Sequence, residues 1–180
     1  RPEDPQTIVS LRSLRHVKRN DLHKEPFYNV KQQLPEAQLI LIGEGSAKSN
    51  LVAQAADLDI ANSITFAGWC DRTTIRKHLR SARAFAFPSR SEGLGLALIE
   101  ALAVGVPCVA SNIGGIPEVV PSSEIGRLVS PEHPDALAQE LIHVLSDTDL
   151  ARQLSAAGRE RAQAFSWERA LKAYKQVLCA

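Results

Sequence analysis

The sequence predicts an α/β protein built on a doubly wound parallel sheet with helices at its C-terminus, and three observations lead there. Residues 7–11, 38–42, 64–67, 84–87 and 107–110 are short, mostly continuous apolar or β-branched runs, as expected of strands covered on both faces. Segments with apolar residues at helical spacing separate them, and such βαβ alternation makes a parallel sheet. Glycine or proline follows most of the runs, at Gly43, Gly68, Pro88 and Gly114, so the chain turns sharply at the strand ends.

In order along the chain, Thr7-Ile8-Val9-Ser10-Leu11 reads as a buried strand, and the basic segment 12–19 as the loop at its end. Leu22, Phe27, Val30 and Leu34 follow at near-helical spacing, interrupted by Pro26, which predicts a kinked or late-starting helix. Residues 38–42 form the next strand, Gly43-Glu44-Gly45 the turn, and Leu51, Ala55 and Leu58 the following helix. The unit repeats through strand 64–67, helix 73–82, strand 84–87, helix 95–104 and strand 107–110, up to the turn at Gly114-Gly115. Beyond Leu128-Val129 the composition changes, and Pro131 and Pro134 lead into helices over 135–146, 149–165 and 167–178. In the last helix Trp167, Ala170, Leu171, Tyr174, Val177 and Leu178 share one apolar stripe, which needs a surface to pack on. The organisation read here is a single domain over 1–180, with a core at 1–130 and a helical segment at 131–180. Ligands of such a sheet meet the carboxyl ends of its strands, where the loops carrying Lys18, Gly43, Gly68 and Glu92 converge.

Composition excludes several classes. With 44% hydrophobic and 23% charged residues in 180, the chain is globular and not disordered. Twenty-one basic against twenty acidic side chains leave a net charge of +1, so no overall field draws it onto nucleic acid or an acidic membrane, and any anion site must be local. The longest apolar stretch, near 94–107, is broken by Glu100 and glycine and falls short of the roughly 20 residues of a membrane span. Cys70, Cys108 and Cys179 are odd in number and far apart, which reads as reduced thiols of the cytosol, and no residue grouping leads us to expect a metal. The chain begins at Arg1 and contains no methionine, and is read as a piece of a longer polypeptide.

The stretch from Pro88 to Ala101 carries the chemistry. A strand enters a glycine turn and then directly a helix, whose first N–H groups and positive dipole end suit an anion. Gly93 and Gly95 admit close approach to the backbone, with Glu92 beside the anion position. Glu100 falls among apolar residues of the helix, where a carboxylate wants partners such as paired sugar or ribose hydroxyls. The plainer alternative is an ordinary strand-to-helix turn with Glu100 in a salt bridge. Trp69 and Cys70, after the third strand, suit either the flank of a nucleobase or packing beneath a loop.

Glu92 is followed by seven residues and then Glu100-Ala101-Leu102-Ala103-Val104-Gly105-Val106-Pro107, and later by Gly114-Gly115-Ile116-Pro117-Glu118. In order and spacing this resembles the group 1 (family 4) retaining glycosyltransferases of the GT-B fold. Their donor-binding C-terminal domain carries a paired-glutamate motif, an E-A-x-A-x-G-x-P continuation and a G-G-x-P-E segment. Gly43-Glu44-Gly45, Phe66-Ala67-Gly68, Pro88-Ser89 and Phe165-Ser166-Trp167 extend the resemblance over residues 7–178.

The resemblance implies a Rossmann-like half of a GT-B enzyme in which Glu100 hydrogen-bonds the nucleotide ribose and Glu92 faces the donor sugar. By the same resemblance the N–H groups around Gly93, Leu94 and Gly95 hold sugar hydroxyls and diphosphate, and Lys18 neutralises the diphosphate. The family usually reads Gly-Arg ahead of that lysine; here the chain reads Arg12-Ser13, leaving Arg12 or Arg15 to supply the second cation. The implied activity is metal-independent, hexosyltransferase-like transfer from a nucleoside-diphosphate sugar to an acceptor hydroxyl with retention of configuration; the donor is a substrate and no cofactor is needed. The acceptor domain would lie outside this chain, the terminal helix would cross back to it, and the fragment alone would bind donor with little or no transfer. The acceptor, glycan or lipid, stays open, as does peripheral membrane contact through the full-length protein. The rivals are a non-catalytic nucleotide-sugar-binding module and a sugar-nucleotide epimerase. A nicotinamide dehydrogenase is disfavoured, because residues 12–19 stand where G-x-G-x-x-G would follow the first strand.

Overall fold

The computed structural model describes residues 6–14, 21–131 and 133–178, with the side chains of 21–25, 173, 174 and 177 left out of the description. Six parallel strands, β1 (Thr7–Leu11), β2 (Gln38–Ile42), β3 (Ile64–Gly68), β4 (Ala84–Phe87), β5 (Cys108–Ser111) and β6 (Arg127–Val129), form one sheet in the order β3-β2-β1-β4-β5-β6. The five expected strands are all present. The sixth was not foreseen: a three-residue edge strand beginning with Arg127 is too short to display a pattern, and its pairing with β5 decides its conformation.

Helices cover both faces. On one face lie α1 (Asp21–Gln33), α2 (Lys48–Asp57) and α6 (Pro134–Ser146), over Ile8, Leu39, Leu41, Ala84, Ala86 and Val109. On the other, α3 (Arg72–Ser81), α4 (Leu96–Val104) and α5 (Ile116–Val119) cover Val9, Phe85, Phe87, Cys108 and Ala110. Alternate residues of each central strand therefore feed opposite cores, and β4 is buried along its whole length. Pro26 sits within α1, which runs without interruption from Asp21 and so starts earlier than its proline suggested.

The C-terminal helices continue this packing. α6 lies against α1, β4 and β5, and Asn29 Nδ2 donates to Asp135 Oδ1 at 2.8 Å across the α1–α6 contact. α7 (Thr148–Ala162), capped by Asp147 accepting from the N–H groups of Asp149 and Leu150, packs against α4. A tight 3-10 turn (Gln163–Phe165) ends it three residues before the expected helix end. The last helix, α8 (Trp167–Leu178), matches its expected bounds but leaves Trp167, Leu171 and Leu178 of its stripe in water, with Trp167 90% and Leu178 79% exposed.

Candidate functional site

The strand order reverses between β1 and β4, and the crevice beyond their carboxyl ends is where a doubly wound sheet holds ligands. Four segments meet at that edge. The chain leaving β1 is tied to the Gly43-Glu44-Gly45 turn, with Arg12 N donating to Ile42 O at 3.0 Å and Leu14 N to Glu44 O at 2.9 Å. That turn is tied to the end of β3 through Gly43 N to Gly68 O at 2.7 Å and Trp69 N to Glu44 Oε1 at 3.4 Å. The segment after β4 is anchored to β5, Ser89 N donating to the buried Ser111 Oγ at 3.0 Å.

Two of these contacts require the absence of a side chain. Gly43, at φ +130°, lies directly on the Arg12 carbonyl, whose carbon would stand 2.9 Å from a Cβ. Gly114, at φ +55°, lies in the same way on the Glu92 carbonyl, and Gly115 N donates to Gly93 O at 2.8 Å. The G-G-x-P-E segment is thus a clamp on the backbone of residues 92 and 93, while Gly43 bears on that of Arg12. Gly-Gly was read from the sequence as a turn, and nothing local in it reveals what it presses on.

The clamped backbones carry opposite charges. The Arg12 guanidinium donates to the Pro88 carbonyl oxygen, and burial lowers its pKa while the Glu92 carboxylate raises it. Arg12, one of the two cations the sequence left open, is therefore at the strand edge, bonded to the segment that leads from β4 to Glu92. Arg15 and Lys18 fall in segment 15–20, outside the described residues.

Glu92 is half-buried, its Oε1 accepting from Gly93 N at 3.1 Å, and Gly93 and Leu94 are exposed. Gly95 turns the chain into α4 at φ 78°, ψ 58°, and no side chain caps the helix start. The first N–H groups of α4 are thus left to bind whatever approaches Glu92. Glu100 lies further along α4, opposite Leu98, Ala101 and Leu102, and is exposed. This corrects the expectation of a carboxylate enclosed by apolar neighbours: α4 is apolar in composition but buries only one side, and Leu96, one turn before Glu100, is 70% exposed. Among the described residues no ion pair involves Glu100, so none of them supplies the salt bridge of the plainer alternative. Trp69 is 75% exposed, which excludes packing beneath a loop.

Two Asp-x-Asp pairs occur, Asp57/Asp59 at the end of α2 and Asp147/Asp149 at the start of α7, both at the opposite, amino edge of the sheet. Among the described residues no group of three His, Cys, Asp or Glu could hold a metal ion.

A parallel sheet with its crevice at the order reversal, flanked on both faces by helices, and an uncapped helix start following Glu92 at that edge define a doubly wound α/β domain. Residues 1–161 match the family described as Glycosyl transferases group 1, and the chain belongs to that family. It is 33% identical over 161 residues to the GDP-mannose-dependent alpha-(1-6)-phosphatidylinositol monomannoside mannosyltransferase of Mycobacterium tuberculosis, covering 86% of this chain and 42% of the relative. To the D-inositol 3-phosphate glycosyltransferase of Jonesia denitrificans it is 35% identical over 168 residues, 89% of this chain and 40% of the relative. The chain thus spans about two fifths of the length of these relatives. Among solved structures, Anabaena HepE in complex with UDP and glucose superposes with a TM-score of 0.88 at 21% identity, covering 98% of this chain and 48% of that one. Sucrose-phosphate synthase from Thermosynechococcus elongatus gives 0.83 at 29% identity, covering 98% and 46%. These likenesses agree with the doubly wound GT-B half expected from the sequence.

Proposed function

We propose that this chain is the donor-binding half of a retaining glycosyltransferase, which moves a sugar from a nucleoside diphosphate to an acceptor hydroxyl. The observation that carries the reading is the uncapped start of α4, with Glu92 folded onto the Gly93 N–H just before it, Arg12 tied to the Pro88 carbonyl at the end of the adjacent strand, and Glu100 exposed on the same helix with no ion pair among the described residues. When the glycosidic bond to the β-phosphate breaks, negative charge develops on the leaving diphosphate. Fixed positive groups lower that barrier most when they are in place before the reaction. The N–H groups at the start of α4 supply one such group, Arg12 a second and Lys18 a third, so the chain's own residues can stabilise the leaving group without a metal ion. Glu92, its backbone held by the Gly114-Gly115 clamp, positions the donor sugar through its hydroxyls. Glu100 accepts from the two ribose hydroxyls, which suits an exposed carboxylate that has no ion pair to displace among the described residues. The acceptor site and the rest of the sugar pocket belong to the remainder of a longer protein, so this chain alone binds donor and transfers poorly.

Calorimetric titration with UDP, GDP and ADP tests the reading. One of them binds, and Glu100→Ala weakens that binding about tenfold, as loss of a charged hydrogen bond does, while Glu92→Ala has the smaller effect because the sugar is absent. Equal losses in the two variants would refute the division of labour, and no binding by any diphosphate would refute the donor site.

A further inference from the structure

Helix α3 presents a face that the donor site does not use. Arg72, Arg76 and Arg80 recur every four residues and so line up along one side, with Lys77 next to them, and all four are exposed. The helix has no acidic residue; Asp71, its N-cap, is engaged by Thr74 N at 2.7 Å. Among the described residues none of the four cations forms an ion pair. Four positive charges thus stand together in a chain whose net charge is +1. The arrangement is unfavourable for the helix itself: like charges one turn apart repel, and Arg72 adds a cation at the positive end of the dipole. Ile75 and Leu79, on the flank next to this row, pack into the apolar cluster on the sheet, while the four cations remain in solvent.

Trp69, 75% exposed, stands three residues before Arg72, at the carboxyl edge of the sheet. An amphipathic indole beside a row of cations is the composition of a surface that rests on lipid headgroups. A nucleic acid fits less well, because a helix of ten residues, about 15 Å long, reaches few phosphates and has no aromatic side chain along its cationic row.

We propose that the Arg72–Arg76–Lys77–Arg80 face of α3, with Trp69 at its end, docks this domain on an anionic lipid bilayer. Cations of this kind act through the negative surface potential, each adding roughly fivefold to partitioning, so the four together add on the order of several hundredfold. The inference does not depend on sugar transfer. It places the membrane alongside the crevice, because α3 starts at the carboxyl edge of the sheet.

The test is sedimentation of the chain with vesicles of phosphatidylcholine alone and of phosphatidylcholine mixed with phosphatidylglycerol. Binding is expected only to the mixed vesicles and is expected to fade with added salt. The variant R72Q/R76Q/K77Q/R80Q, its folding checked by circular dichroism, loses that binding; R169Q/K172Q/K175Q, which removes the cations of α8, keeps it. In a Trp167→Phe background, Trp69 emission shifts to the blue on mixed vesicles. Failure of the parent chain to bind mixed vesicles overturns the proposal, as does binding that survives in the α3 variant or is lost in the α8 variant. Binding to single-stranded RNA in place of vesicles overturns it in favour of a nucleic-acid surface.

Discussion

Replacing Gly114 by alanine tests the clamp on Glu92 directly. Gly114 has φ +55°, a conformation that costs an L-residue about 1–2 kcal/mol. The new methyl group would also overlap the Glu92 carbonyl, with its carbon at 3.1 Å. Because that neighbour is backbone, it cannot swing aside as a side chain would, and forced overpacking of this kind costs about 1–3 kcal/mol. The sum, about 2–5 kcal/mol, is a large part of the about 5–15 kcal/mol that stabilises a typical domain. At about 2–4 °C per kcal/mol for a domain of this size, the melting temperature falls by about 4–20 °C. If instead the 92–93 segment moves away, stability recovers and diphosphate binding is lost. Gly93→Ala is the matched control for stability alone, since nothing in the protein lies within 4 Å of its would-be Cβ and its φ is not positive. Thermal unfolding and calorimetry on the same two variants read both routes. A Gly114→Ala variant as stable as the parent and binding diphosphate equally well would refute the clamp.

Lys18→Ala is expected to weaken diphosphate binding far more than binding of the bare nucleoside, and added salt to narrow the difference, because an ammonium acts on the phosphates as a point charge; equal weakening of both ligands in titration would contradict that role. Asp71 accepts from Thr74 N, and this hydrogen bonding holds its carboxyl below the ordinary value. The stability it adds is therefore complete above the unfolded value of about 3.9 and fades as pH falls through the depressed folded value. Thermal unfolding of the parent and Asp71→Ala should show a gap at pH 7 that closes in acid, and a gap that stays constant would refute the cap. Removing residues 166–180 deletes the exposed Trp167, Leu171 and Leu178, each able to contribute about 1.5–3 kcal/mol if buried against a second molecule. Sedimentation should show the parent self-associating and the truncated chain monomeric; two equally stable monomers would contradict this.

The order of elements was legible in the sequence because each central strand is buried on both faces and so remains apolar throughout, as in Ala84-Phe85-Ala86-Phe87. β6 was not, because three residues headed by Arg127 take their conformation from the β5 ladder and not from their own pattern. The paired glutamates were legible as a motif, but the exposure of Glu100 was not: an apolar helix reads as buried all round, whereas α4 meets solvent along the line of Leu96 and Glu100. The hydrogen bond from Arg12 to the Pro88 carbonyl could not be read at all. It arises where β1 and β4, distant in sequence, lie side by side and their loops leave the same edge.

The packing of α6 on α1 bears on how the chain is made. α1 emerges from the ribosome early, yet the surface that covers it, including the Asn29 to Asp135 hydrogen bond across 106 positions, is synthesised far later. At about 5–20 residues per second the first βα unit waits roughly 5–20 s with Phe27 and Val30 not yet covered by α6. Closure of the first half of the sheet is thereby tied to arrival of the last third of the chain. A nascent chain stalled before residue 134 should remain open to protease around α1, however complete its first four strands are.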